Sequence, residues 1–228
     1  MKLCPCQVLI PAAASSSSLS KLYLSSPRED ACWSICTEAL ARFFAGKSSV
    51  LDLSHLQLPE PLVQAVAIAA GCVKDIELLL CGAPDSSSLL KALGALPASL
   101  LHKLNASGNA MLGDDGIKAL AECIKTAPLH TLSLANTGIG TAGIEALAMW
   151  LNFAKGLQAL DLSENPGIAD DGAKALADWV ESISLQTLRL ANTGIGTAGI
   201  EVLAMNLMEG LQVLDLSNNP GIADDGAK

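Results

Sequence analysis

The sequence predicts an α/β solenoid, a stack of similar coils that each contribute one parallel strand and one helix. Two observations carry that reading. The first is internal repetition. Residues 131–149 and 187–205 agree at 17 of 19 positions, at an offset of 56. Residues 157–174 and 211–228 agree at 16 of 18, at an offset of 54. Fixed-period similarity of this kind is the signature of a repeat architecture. The second is composition. Half of the 228 residues are apolar, but only seven are aromatic. A core built of Leu and Ala is assembled from small, similar layers.

The 56-residue unit divides into two half-similar units of 28 with the form L-x-x-L-x-L-x-x-N-x-x-I, followed by a turn and an Ala/Leu-rich segment. The strand positions are Leu51/Leu53, Ile76/Leu78, Leu104/Ala106, Leu132/Leu134, Leu160/Leu162, Leu188/Leu190 and Leu214/Leu216, at offsets of 25, 28, 28, 28, 28 and 26. About seven repeats are therefore expected, the first two degenerate. In L-x-L the side chains alternate, so both apolar residues enter the core and the one between them faces out. Asn109, Asn165 and Asn219 follow the strands where the chain turns, and a side-chain amide there can bond backbone groups of adjoining coils. Thr137, Thr193 and Cys81 hold that place in the alternate units. They offer fewer bonds, which predicts looser turns. The helices are expected to start at Asp114-Asp115-Gly116, Asp170-Asp171-Gly172 and Asp224-Asp225-Gly226, or at Thr141 and Thr197. Asp and Thr are good N-caps, and the carboxylates suit the positive end of the helix dipole. Ile144, Leu147, Ala148 and Leu151 recur at helical spacing. One such strand and helix cannot bury their faces alone, whereas stacked copies form a continuous core. Parallel strands should line the concave side and helices the convex side.

Residues 48–228 carry the repeats. Residues 29–47 are expected to form an N-terminal covering helix, with Trp33, Cys36, Leu40 and Phe43 inward. Residues 1–28 read as a disordered Ser-rich leader. The apolar stretch after Lys2 is broken by Pro5, Gln7 and Pro11, unlike the unbroken core of a signal peptide. The sequence stops at Lys228, inside a motif that at Gly172-Ala173-Lys174 runs on into a helix. The last repeat therefore reads as truncated, with Leu211, Leu214 and Leu216 uncovered and an open strand edge that favours self-association.

The 28-residue period, the LxLxxN strand and the helix of the type Gly-Ala-Lys-Ala-Leu-Ala resemble the ribonuclease-inhibitor-type leucine-rich repeats. The resemblance covers residues 48–228 and implies a leucine-rich-repeat horseshoe. That family includes ribonuclease inhibitors, the sensor regions of NOD-like receptors and Ran GTPase-activating proteins. It implies protein binding inside cells, with a receptor sensor fragment or a GTPase-activating regulator as alternatives.

Motifs that would carry chemistry were weighed against the repeat. Residues 41–48, ARFFAGKS, come within one residue of a phosphate-binding loop, but that loop needs a strand before it and a helix after it. Here residues 38–45 read as helix and 50–53 as strand. The Asp-Asp-Gly turns lack the alternating oxygen ligands of a calcium loop. His55, His102 and His130 sit in or beside strands, where His102 and His130 are placed to stack without a nucleophile nearby. Asn105-Ala106-Ser107 matches a glycosylation sequon by pattern. No cofactor or metal is expected. The net charge of −9 lacks the basic face that a nucleic acid demands. No apolar run reaches the roughly 18 residues of a membrane span. The seven cysteines, Cys4, Cys6, Cys32, Cys36, Cys72, Cys81 and Cys123, are odd in number and lack zinc spacing. Free thiols and a cytoplasmic location follow as expectations.

What remains is the concave face. The residue between the two apolar strand positions runs Asp52, Glu77, Asn105, Ser133, Asp161, Arg189 and Asp215, and Lys103, Thr131 and Thr187 point the same way. The row is polar and mixed. Near-identical repeats differ within it, Ser133 becoming Arg189, so a non-catalytic surface for a protein partner is the expected function. If the redox reading holds, thiol titration in denaturant without reductant finds seven reactive groups. A deficit of two or more would mean native disulfides and an oxidising compartment.

Overall fold

The computed structural model describes residues 21–23, 50–52, 76–79, 98–151, 154, 156–180, 185–206 and 210–222. Eight strands form one parallel sheet in sequential order: β1 (Lys21–Tyr23), β2 (Val50–Asp52), β3 (Ile76–Leu79), β4 (Leu101–Asn105), β5 (Thr131–Ser133), β6 (Ala159–Asp161), β7 (Thr187–Arg189) and β8 (Val213–Asp215). Four helices alternate with the later strands: α1 (Gly113–Cys123), α2 (Thr141–Leu151), α3 (Ala169–Val180) and α4 (Thr197–Asn206). Each helix packs on the next. Packed helices stand about 8–10 Å apart, whereas neighbouring strands stand about 4.8 Å apart. A stack with both spacings must curve, with the sheet on its inner side.

The core consists of columns, one residue per coil. Leu104, Leu132, Leu160 and Leu188 form one; Ala106, Leu134, Leu162 and Leu190 form the next; and Leu120, Leu147, Leu176 and Leu203 face them from the helices. All are buried. In β8, Leu214 is 41% exposed, and Leu211 and Leu216 are half-buried against the core.

The strands fall where the 28-residue spacing puts them, with one difference in register. Leu78, not Ile76, aligns with Leu104, and a bulge between Ile76 and Glu77 absorbs the mismatch. Residues 76, 78 and 80 are all apolar, so a slip of two keeps every side chain on its face and the pattern alone cannot choose. Glu77 therefore lines up with Lys103, and Leu79 takes the place beside Asn105. A further strand, Lys21–Tyr23, lies within the stretch read as a leader and pairs in parallel with β2. The expected covering helix and residues 223–228 fall outside the described residues.

Buried side-chain amides join the coils. Asn165 Nδ2 donates to the carbonyls of Leu134 (2.9 Å), Leu162 (2.9 Å) and Ser163 (3.0 Å). Its Oδ1 accepts from the amides of Thr137 (2.9 Å) and Ile139 (3.3 Å). One side chain thus serves its own coil and the coil before it. Asn219 repeats the pattern on Leu190, Leu216, Thr193 and Ile195. This overturns the expectation of looser turns at the threonines. Thr137 and Thr193 are fully buried. Their hydroxyls donate to Leu134 and Leu190 carbonyls, both at 2.8 Å, while the following asparagine takes their amides. Cys81 lies outside the described residues.

The helix starts also differ from expectation. Asp114 and Asp170 lie one residue inside α1 and α3, and α1 has no side-chain cap of its own. Instead they cap the next coil's helix. Asp114 Oδ1 accepts from the Gly140 amide (2.7 Å), and Asp170 Oδ1 from the Gly196 (2.6 Å) and Gly199 (3.0 Å) amides. These amides begin α2 and α4, where orphan N–H groups and the positive dipole end favour a carboxylate. Gly143 and Gly199 leave room for it: a Cβ at either would lie 2.6 Å from that carboxylate oxygen and within 2.9 Å of the Ile139 or Ile195 side chain. The hydroxyls of Thr141 and Thr197 donate to the following coil, at Ile168 (3.1 Å) and Gly221 (3.5 Å).

Two predictions follow from these joints. Asn165→Ala strands buried groups on two coils and should cost about 3 kcal/mol, whereas Thr137→Val should cost about 1, since Leu134 keeps the Asn165 donor. Urea unfolding midpoints check the order, and equal losses would contradict it. Gly194 has φ +73°, and a Cβ there would meet the Pro166 carbonyl at 2.6 Å; Gly113 has φ +59° with nothing within 4 Å. Gly113→Ala should cost about 1 kcal/mol of conformational strain, as the native Ala169 at φ +50° tolerates in the equivalent place. Gly194→Ala should cost at least about 2 kcal/mol more, adding a backbone clash to that strain.

Candidate functional site

The inner face of the sheet carries two rows of residues set by strand register, the first mostly polar and the second mixed. One runs Asp52, Leu79, Asn105, Ser133, Asp161, Arg189, Asp215. The other runs Val50, Glu77, Lys103, Thr131, Ala159, Thr187, Val213. Within β5 and β6 the burial alternates half-buried, buried, half-buried, as expected of a sheet with one face packed and one open. All ten residues singled out from the sequence have backbone positions on this face. Glu77 stands one row away from its expected place. Sequence reasoning missed Leu79, Ala159 and Val213, because it looked for polar residues there.

The first row is held rigid from beneath. The Ser107 amide donates to Asn105 Oδ1 (3.0 Å), the Ser163 amide to Asp161 Oδ1 (3.0 Å), and the Ser217 amide to Asp215 Oδ1 (3.1 Å). Each is an Asx turn that closes the strand and fixes the side chain. Ser217 Oγ donates to the same Asp215 oxygen at 2.7 Å, and Ser107 and Ser133 share a hydroxyl hydrogen bond of 2.7 Å. The two Ser217 bonds, with a smaller pull from the Arg189 charge, hold the Asp215 carboxyl below the usual carboxylate range. It therefore stays ionised further into acid. The Arg189 side chain is exposed and makes no hydrogen bond or ion pair among the described residues.

The rim beyond the strands is a second feature that sequence reasoning passed over. Asn136, Glu164, Asn192 and Asn218 occupy equivalent places with φ between 52° and 60°. Three of the four are asparagine, which tolerates this left-handed backbone. Glu164 is the exception, and its carboxylate accepts from Asn192 Nδ2 at 2.6 Å.

The chemical motifs resolve into structural roles where they are described. Asp115 and Asp171 pair with Lys118 (3.2 Å) and Lys174 (2.8 Å) on their own helices. Among the described residues no three His, Cys, Asp or Glu side chains converge to hold a metal ion. His102 and His130 stack with ring centroids 5.4 Å apart and planes at 11°. Burial pushes the Cys123 thiol up, with Glu122 adding to it, so it is no activated nucleophile. The phosphate-loop-like stretch and His55 lie outside the described residues. Among the described residues no helix is long and apolar enough to cross a membrane. On the convex side a shallow groove between α1 and α2 is lined by Lys118, Ala121, Glu122, Lys125, Met149 and Trp150.

Comparison with known proteins bears on the same segment. The family described as Leucine Rich repeat matches residues 99–121, 127–148, 157–177, 181–204 and 211–228. The mouse (Mus musculus) NACHT, LRR and PYD domains-containing protein 14 is 31% identical over 118 residues, half of this chain and 12% of that protein. Its human (Homo sapiens) namesake is 33% identical over 131 residues, 55% of this chain and again 12% of the relative. Bovine (Bos taurus) monocyte differentiation antigen CD14 is 31% identical over 178 residues, 74% of this chain and 44% of the antigen. The chain thus spans about an eighth of the first two relatives and under half of the third. The tropomodulin C-terminal domain of Caenorhabditis elegans is similar at a TM-score of 0.47 and 18% identity, over 63% of this chain and 87% of that one. Each of the first four matched segments carries the buried apolar columns of one coil, and with its strands and helices in this order the chain belongs to the leucine-rich-repeat family.

Proposed function

We propose that this chain is a non-catalytic protein-interaction module that engages a protein partner through its concave face and rims. The observation that carries this is where the internal twins differ. In the two aligned stretches four positions change: Ser133/Arg189, Ala146/Val202, Ala159/Val213 and Glu164/Asn218. Three of these four lie on the open sheet face or its rim. A solvated face with no task would vary no more than the outer helices do. Yet the exposed helix residues Ala142, Glu145 and Met149 recur unchanged as Ala198, Glu201 and Met205. The mixed charge of the rows, their fixed side chains and their lack of convergent nucleophiles support recognition over catalysis. Seven cysteines without a pairing pattern support a reducing, intracellular location.

A second reading is favoured by the mouse and human relatives. In it the chain is the leucine-rich-repeat part of a larger protein that also carries a NACHT domain, as a NOD-like receptor does. The full-length reading frame tests this by showing whether such a domain is encoded beside it.

The concave-face reading is tested with two variants, Arg189→Ser and Asp161→Ala/Asp215→Ala, compared with the wild-type chain for the proteins they capture from an extract. A specific partner should be retained about tenfold less by at least one variant, as for an interfacial hot spot, with an unchanged far-UV spectrum. Equal capture by both would move the site to the convex groove between α1 and α2.

A further inference from the structure

The concave rows of β6, β7 and β8 carry more detail than a general interaction surface requires. Resting on the concave-face reading, we infer that they form a seat for an amphipathic helix of a partner protein, laid along the solenoid axis. That helix carries basic, acidic and basic residues at i, i+4 and i+7 beside an apolar stripe.

The argument begins with charge order. Asp161, Arg189 and Asp215 are directly in register on neighbouring strands, giving acid, base, acid across the sheet. Both carboxylates are pinned through Oδ1 by the amides of Ser163 and Ser217, which leaves Oδ2 for a partner. Arg189 stands between them, exposed and without an ion pair among the described residues. A preorganised charge triplet of this kind selects a partner by complementarity and penalises the reversed order.

Spacing then chooses the kind of element. Two strand steps span about 9.6 Å. On a helix, residues i and i+7 lie about 10.5 Å apart along the axis, with i+4 between them on the same side. An extended chain running the same way puts i and i+4 about 13 Å apart, and i and i+2 about 6.7 Å apart. Neither matches. The helical turn is close to commensurate with the strands, so three charges can meet three charges at once.

The neighbouring row supplies the apolar half. Two residues back along the same strands run Ala159, Thr187 and Val213, small side chains in which Val213 is 45% exposed. This shallow strip lies about 6.7 Å from the charge row. A helix about 10 Å wide reaches both rows at once.

The test uses the full chain and two helix-stapled peptides of equal composition. Both carry the same Leu/Ala stripe; one has Lys, Glu, Lys at i, i+4, i+7 and one Glu on the far face, the other Glu, Lys, Glu and one Lys on the far face, so that the two are equal in net charge. Binding is followed by fluorescence anisotropy at low salt. The Lys-Glu-Lys peptide should bind on the order of tenfold tighter, from three partly exposed ion pairs gained rather than opposed, and the preference should shrink as salt is added. The triple variant Asp161→Lys/Arg189→Glu/Asp215→Lys should invert the preference. Should that variant not fold, Arg189→Glu alone must narrow it. Equal affinity for the two peptides, no binding of either, or a preference unaltered by the variants would each overturn the helix seat. The broader concave-face reading would then still be judged by its own capture experiment, in which a partner lost from Arg189→Ser keeps it standing.

Discussion

A side-chain amide that bonds two coils at once is the interaction on which the rest of the stack depends. Each coil ends its strand in a turn whose backbone groups are buried against the next coil, and buried groups without partners cost about 1–3 kcal/mol each. The strand ladder cannot reach them. Asn165 and Asn219 can, because a carboxamide both donates and accepts, and each distributes its bonds over its own turn and the preceding one. The apolar columns add most of the driving force, but they are nearly uniform along the axis and would permit sliding. The amides fix the register that brings Asp161, Arg189 and Asp215 side by side.

The same economy shapes the inner face. Asx turns at Asn105, Asp161 and Asp215 end the strands, so a residue facing a partner is also part of the scaffold. Losing one of these side chains would disturb both functions together. Arg189 and Ser133 carry no such turn, and there the twins diverge. Within this row variation falls at a position that closes no Asx turn, which makes the face tunable one coil at a time.

Much of this was legible in the sequence. The 28-residue offsets located β4 to β8, and alternation assigned their inward and outward residues, because a coil with a buried strand leaves little choice. The position of β3 was not decidable, since apolar residues at 76, 78 and 80 serve equally well on the same face. The partner of Asp114 and Asp170 was misjudged for a related reason. Local pattern offers each its own helix N-terminus, while the amides it bonds are 26 residues away or more and visible only once the coils are stacked. Thr137 looked deficient because its turn was counted alone. Ala159 and Val213 were passed over because a search for polar recognition residues discards small apolar ones, although a shallow floor is what a docking element needs. The strand Lys21–Tyr23 was legible as well: Leu19, Leu22 and Leu24 repeat the L-x-x-L-x-L form 29 residues before Leu51, but the Ser-rich surroundings read as a leader.

The joints between coils are of two kinds, and they alternate. A coil with Asp-Asp-Gly and asparagine hands its carboxylate forward to a coil with Gly-Thr-Ala-Gly, and that coil receives an amide back from the asparagine of its successor. Two Gly-Thr-Ala-Gly coils set side by side would have neither the carboxylate for a helix start nor the amide for a turn. The smallest module that can be copied onto itself with all its joints intact is therefore the pair. That explains why the near-identity in this chain appears at 56 residues rather than 28, and it gives the stack a grammar in which growth and loss proceed by even numbers of coils.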